Sequence, residues 1–97
     1  MLGIRDMDRR SRLEIYFDIL KVIGRGIDKP TQIMYKANLS WETMQNIFAT
    51  LIESGFIKES LEKNSKRYEV TDKGRNALSY YFKSLDGLVK VKEISVR

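Results

Sequence analysis

A chain of 97 residues with an ordinary apolar share of 42% folds as one small domain around one modest core, not as a disordered tail. Having no cysteine and no histidine, it excludes disulfides, thiolate zinc sites, cysteine nucleophiles and histidine-based triads or metal cages. The balance of 18 Lys plus Arg against 13 Asp plus Glu leaves a net charge of +5, which favours a polyanionic partner through counterion release.

No nucleophile–base pair, phosphate-cradling glycine loop or metal-ligand cluster can be assembled, so neither an enzyme nor a cofactor is expected. No run approaches the roughly 20 apolar residues of a membrane span, and no export signal is present. A cytoplasmic location, with no membrane partner and no small-molecule ligand, is the expectation.

Residues 1–11 form a polar arm in which Arg5, Arg9 and Arg10 stand among Asp6 and Asp8. From Arg12 onward Leu13, Tyr16, Phe17, Leu20 and Ile23 recur at steps of three and four, which predicts an amphipathic helix ending near Gly24. The stretch GRGIDKP is a loop, and Pro30 suits the first turn of a second helix, where its missing N–H is harmless.

Between Pro30 and Ala49 the pattern is two short helices around a tight turn. Ile33, Ala37, Leu39, Met44 and Ile47 let them share a core. Asn38 sits at the bend, where a left-handed residue is needed, and Ser40 caps the next helix. That third helix runs from Trp41 to about Ser54, with an inward stripe of Met44, Ile47, Phe48, Leu51 and Ile52. Trp41 is expected partly beneath the stripe. Tyr16, Phe17, Phe48, Phe56 and Phe82 are expected in the core.

Phe56–Leu61 and Arg67–Val70 read as strands around the polar turn EKNSK, a hairpin. Thr71 and Asp72 open a last helix with Leu78, Tyr81, Phe82 and Leu85 on its apolar side. Asp86-Gly87 interrupts the pattern. Beyond it, LVKVKEISVR fits a helix through Leu78, Leu85 and Leu88, and equally a strand through Val89 and Val91. The organisation is therefore an arm (1–11), a domain (12–85) and a tail (86–97) that belongs with a dimerisation element. Of Tyr80 and Tyr81 one must face outward, a hint of an interface.

Helix, helix, helix, hairpin, helix is a winged helix-turn-helix order, mainly α with a small β-hairpin. In such domains the third helix enters the major groove and the hairpin, or wing, reaches the backbone. The residues expected to read bases are Thr43, Gln45, Asn46 and Thr50, with Ser40 near a phosphate at the helix start. Between Trp41 and Ser54 there is no Lys or Arg, while Glu42 and Glu53 are present. Glu42 is read as favourable to the helix dipole. Backbone attraction must come from elsewhere: the wing (Lys63, Lys66, Arg67), Lys36 beside the turn, the hydroxyl of Tyr35, and the arm (Arg9, Arg10). The wing is the first choice. The plain alternative for each cluster is a solvated surface, and the competing function is a protein-interaction module that does not bind DNA.

The segments RSRLEIYFDIL, PTQIMYKANLSWETM and YEVTDKGRNAL resemble the archaeal winged helix-turn-helix family of small DNA-binding proteins, which includes chromatin-associated proteins and related transcription regulators. The resemblance spans about Arg10 to Leu78. It implies binding of double-stranded DNA, no cofactor, and a homodimer paired through a long C-terminal helix in an antiparallel coiled coil. Asp86-Gly87 departs from that pattern and argues for a shorter helix pair or a strand-mediated dimer.

Overall fold

The computed structural model describes the backbone of residues 10–96 and the side chains of residues 10–85, so Arg9 and the rest of the arm lie outside the described residues. Among the described residues, four helices and one antiparallel hairpin follow in the order α1 (Arg12–Gly24), α2 (Pro30–Ala37), α3 (Trp41–Glu53), β1 (Ile57–Glu62), β2 (Ser65–Val70) and α4 (Asp72–Val96). Each has a local cause. Ser11 and Glu14 form a reciprocal capping box at the start of α1: the Ser11 hydroxyl accepts from the Glu14 N–H at 3.1 Å, and the Glu14 carboxylate accepts from the Ser11 N–H at 2.7 Å. Pro30 occupies the first turn of α2.

Asn38 ends α2 in the left-handed conformation, with φ 57° and ψ 55°. Its N–H bonds the Tyr35 carbonyl while the Leu39 N–H bonds that of Met34, a Schellman closure that satisfies two otherwise orphaned carbonyls. Ser40 then caps α3 by accepting from the Thr43 N–H at 3.2 Å.

The hairpin is longer than the sequence pattern indicates. Glu62 pairs directly with Ser65, so the turn is only Lys63-Asn64, both at positive φ (53° and 67°). That is the backbone of a type I′ turn, whose twist matches the strands it joins.

The core draws Ile19 and Ile23 from α1, Ile33 from α2, Met44, Ile47 and Phe48 from α3, and Ile57 and Tyr68 from the hairpin. The Phe48 and Tyr68 rings lie 4.4 Å apart. Tyr16, Phe17 and Phe56 pack partly buried against this cluster.

Two groups of residues assigned to the core are exposed instead. Trp41 is 48% exposed and Ile52 is also on the surface. At about 100° per residue both lie on the flank of α3, away from the centre of its buried stripe. On α4, Phe82 is 48% and Leu85 41% exposed. Gly24 faces Leu78 and Phe17 stacks on Tyr81 with centroids 4.1 Å apart, so α1 and α4 run antiparallel. Among the described residues α1 begins at Arg12 while α4 continues to Val96, so α1 lies along the first part of α4 alone.

That continuation decides between the two readings the sequence leaves open. α4 is one helix of 25 residues that passes straight through Asp86-Gly87, so the segment after it is helix and not strand. An interior glycine costs only about 1 kcal/mol against alanine. Once a helix is nucleated, each further residue adds a hydrogen bond without a new nucleation penalty. Among the described residues no helix is long and apolar enough to cross a membrane.

Candidate nucleic-acid interface

Both ends of α3 are tied to the rest of the domain. At its start, Arg10 reaches across from the entrance of α1. Its guanidinium donates to Asp18 at 2.8 Å and to the Ala37 carbonyl at 2.9 Å, and its other terminal nitrogen donates to the Asn38 carbonyl at 3.2 Å. The residue expected to touch phosphate is thus engaged in clamping the turn between α2 and α3. At the far end, Lys73 donates to the Ser54 carbonyl at 2.7 Å, with its ammonium 4.8 Å from the centre of the Phe56 ring. Thr71 donates to the Gly55 carbonyl at 2.6 Å and accepts from the Gly74 N–H at 3.1 Å. The run Thr71-Asp72-Lys73-Gly74, recognised in the sequence as a family signature, is therefore a clip that closes the C-terminus of α3 onto α4.

Held this way, α3 buries Met44, Ile47, Phe48 and Leu51 and leaves its other faces outside. The four expected base readers do not share one face. Thr43, Asn46 and Thr50, at spacings of three and four, form one stripe; Gln45 lies on the opposite flank with Trp41 and Ile52. The Thr43 hydroxyl accepts from Ser40 at 2.9 Å, and that of Thr50 donates back to the Asn46 carbonyl at 3.3 Å, so both hydroxyls are occupied locally. Asn46 is exposed, and its amide has no hydrogen-bond partner among the described residues. It is the polar group of the stripe best placed to read a base edge.

The wing differs electrostatically from the expectation. Lys58 pairs with Glu69 at 3.4 Å and Lys66 with Glu59 at 3.6 Å. Arg67 pairs with Asp28 at 3.4 Å and Glu62 at 3.2 Å, and only 24% of its side chain is exposed. Arg67 accordingly ties the hairpin to the loop before α2, reinforced by the Tyr68 N–H bonding the Asp28 carbonyl at 3.1 Å. Lys63, at the tip, forms no ion pair among the described residues. Tyr35 and Lys36 stand exposed on α2. The structural tasks of Arg10, Asp28 and Lys73 were missed in the sequence because each partner is distant along the chain.

The phenol of Tyr68 is pushed well above the usual tyrosine range, first by burial and then by its 2.7 Å hydrogen bond to the Glu59 carboxylate. Among the described residues no group of His, Cys, Asp or Glu is arranged to hold a metal ion.

A helix pair closed by a left-handed turn, a third helix held at both ends and a hairpin beside it define a winged helix-turn-helix protein. The chain belongs to that family: a winged helix-turn-helix model matches residues 9–88. It is 39% identical over 71 residues to an uncharacterised protein of Methanocaldococcus jannaschii, an alignment covering 73% of this chain and 69% of that protein. Among solved structures it is similar to Sso10a-2, a DNA-binding protein from Sulfolobus solfataricus, with a TM-score of 0.64 and 28% identity over 87% of this chain and 90% of that one. FabT of Streptococcus pneumoniae, solved in complex with DNA, shares the fold at a TM-score of 0.68 and 21% identity, covering 98% of this chain and 78% of that one. The archaeal family likeness read from the sequence is borne out.

Proposed function

We propose that this protein binds double-stranded DNA as a homodimer in the cytoplasm, on the nucleoid, and serves as a transcription regulator or chromatin-associated protein. The observation that carries this reading is the polar stripe Thr43–Asn46–Thr50, with Asn46 exposed between two half-buried threonines, on a helix anchored at both ends. α3 enters the major groove and the wing lies against the backbone. Asn46 pairs with adenine N6 and N7, while the methyl groups of Thr43 and Thr50 meet thymine methyls; Gln45 approaches from the other flank. The likeness to Sso10a-2, which is a DNA-binding protein, supports the reading. So does FabT, whose same fold was solved on DNA.

The test is fluorescence anisotropy of a random-sequence duplex across a salt series. Affinity that falls steeply with salt is expected, the slope reporting the phosphates contacted. A series of single base-pair changes then separates the two roles. A regulator loses about 1–3 kcal/mol at a contacted pair, and a general chromatin binder loses almost nothing.

A second reading has one observation in its favour. α3 has no cation, carries Glu42 and Glu53, and exposes Trp41 and Ile52, a surface suited to a protein partner. Absence of duplex binding at low salt would establish that reading over the first.

A further inference from the structure

α3 lacks cations and most wing cations are paired with acids, so a polyanion must be met by another surface. Positive charge gathers between α1 and the end of α2. Arg10, Lys21, Arg25 and Lys36 line a shallow cleft of about 240 Å³ over Val22 and Ala37, and among the described residues Asp18 is the one carboxylate on it. Asp18 holds Arg10 at 2.8 Å and Lys21 at 3.4 Å. Arg25 and Lys36 are exposed and form no ion pair among the described residues. An adjoining cleft shares Lys21 and Arg25 and adds Arg75, whose guanidinium pairs with Asp72 at 2.5 Å.

Helix dipoles alone explain part of this pattern, since Lys21 and Lys36 occupy the last turns of α1 and α2. They favour Arg25 as well, the C-cap of α1, but they do not explain the convergence of four cations on one concavity. The position is also informative. Arg10 bonds the Ala37 and Asn38 carbonyls, so one wall of the cleft is the helix-turn-helix turn itself, beside the start of α3. In helix-turn-helix docking the helix before the recognition helix crosses the DNA backbone, and this turn joins the two.

We propose that the cleft between α1 and α2, more than the wing, seats the phosphate backbone of the bound DNA. Arg25 and Lys36 are the phosphate contacts, and Asp18 positions Arg10 and Lys21 at the cleft wall. The inference rests on the DNA-binding reading above and adds to it the surface that supplies most of the affinity.

The experiment compares the wild-type chain with Arg25→Gln/Lys36→Gln and with Lys63→Gln, by anisotropy on a random duplex over a salt series. The log–log slope of affinity against salt should fall by about two units in the double variant, at roughly 0.9 per phosphate lost, and by at most one in the wing variant. An unchanged slope in the double variant, while wild type binds, overturns the inference and leaves DNA binding intact. Failure of wild type to bind at any salt overturns both. The charge-preserving pair Arg25→Lys/Lys36→Arg should keep the wild-type slope; its loss would show that these side chains serve the fold and not the phosphates.

Discussion

Gly74, in the first turn of α4, packs so closely under the Phe56 carbonyl that a side chain there would overlap both that oxygen and a methyl of Val70. Alanine in place of an interior helical glycine ordinarily stabilises by about 1 kcal/mol. Here the close neighbour is backbone, which cannot swing aside, and overpacking of this kind costs about 1–3 kcal/mol. Gly74→Ala should therefore destabilise by about 2 kcal/mol and lower the melting temperature by roughly 10 °C in a calorimetric scan. A higher melting temperature would show that the clip on α3 opens freely.

Tyr68 gives a prediction about alkaline stability. Its phenol is buried and bonded to Glu59, which raises its folded pKa. Below the ordinary tyrosine pKa of about 10 it is protonated in both states and adds no pH dependence. Above that, the unfolded chain ionises Tyr68 while the folded one does not, so stability falls as pH rises. Tyr68→Phe should cost about 1 kcal/mol at neutral pH and flatten this alkaline decline, as read by urea denaturation at pH 8 and above pH 10. An unaltered pH profile would mean the decline comes from other tyrosines.

The exposed Trp41 makes binding directly observable. It is the chain's one tryptophan and lies in the first turn of α3, so its emission reports on that end of the helix without a label. Addition of duplex should blue-shift or quench the fluorescence in step with anisotropy. Trp41→Ala should weaken binding if the ring rests on the DNA and leave it unchanged if it does not. Emission that stays constant while anisotropy rises would place α3 away from the groove.

α4 supplies a test of assembly. Tyr80, Phe82 and Leu85 are exposed on this 25-residue helix. If a second copy covers them, sedimentation equilibrium will show a dimer, and Phe82→Glu/Leu85→Glu will dissociate it without unfolding the domain, because neither residue belongs to the buried core. A wild-type monomer at high concentration would remove the homodimer from the proposed function.

Much of this was legible in the sequence because it depends on neighbours along the chain. The three- and four-residue spacing from Arg12 marks α1, Pro30 opens α2, and the Asn38-Leu39-Ser40 turn needs only residues within five positions of itself. Errors arose where the flank of a helix mattered. Trp41 and Ile52 lie at the margin of a stripe whose centre only packing defines, and packing likewise decided that Phe82 and Leu85 stay exposed on α4. Helix and strand fit the segment after Asp86-Gly87 equally well by pattern, and helix prevails because the glycine penalty is small beside the cooperativity of a helix already formed.

The sequence alone determined the order of elements, the family and the polar character of α3, since periodicity, caps and turn residues act over a few positions. Only the tertiary structure decided which charges are available. Arg10 and Arg67 have the same chemistry as Arg25, but the first clamps a turn 27 residues away and the second is held by Asp28, 39 residues away. Electrostatic pairing follows distance in space, and folding alone brings those partners together.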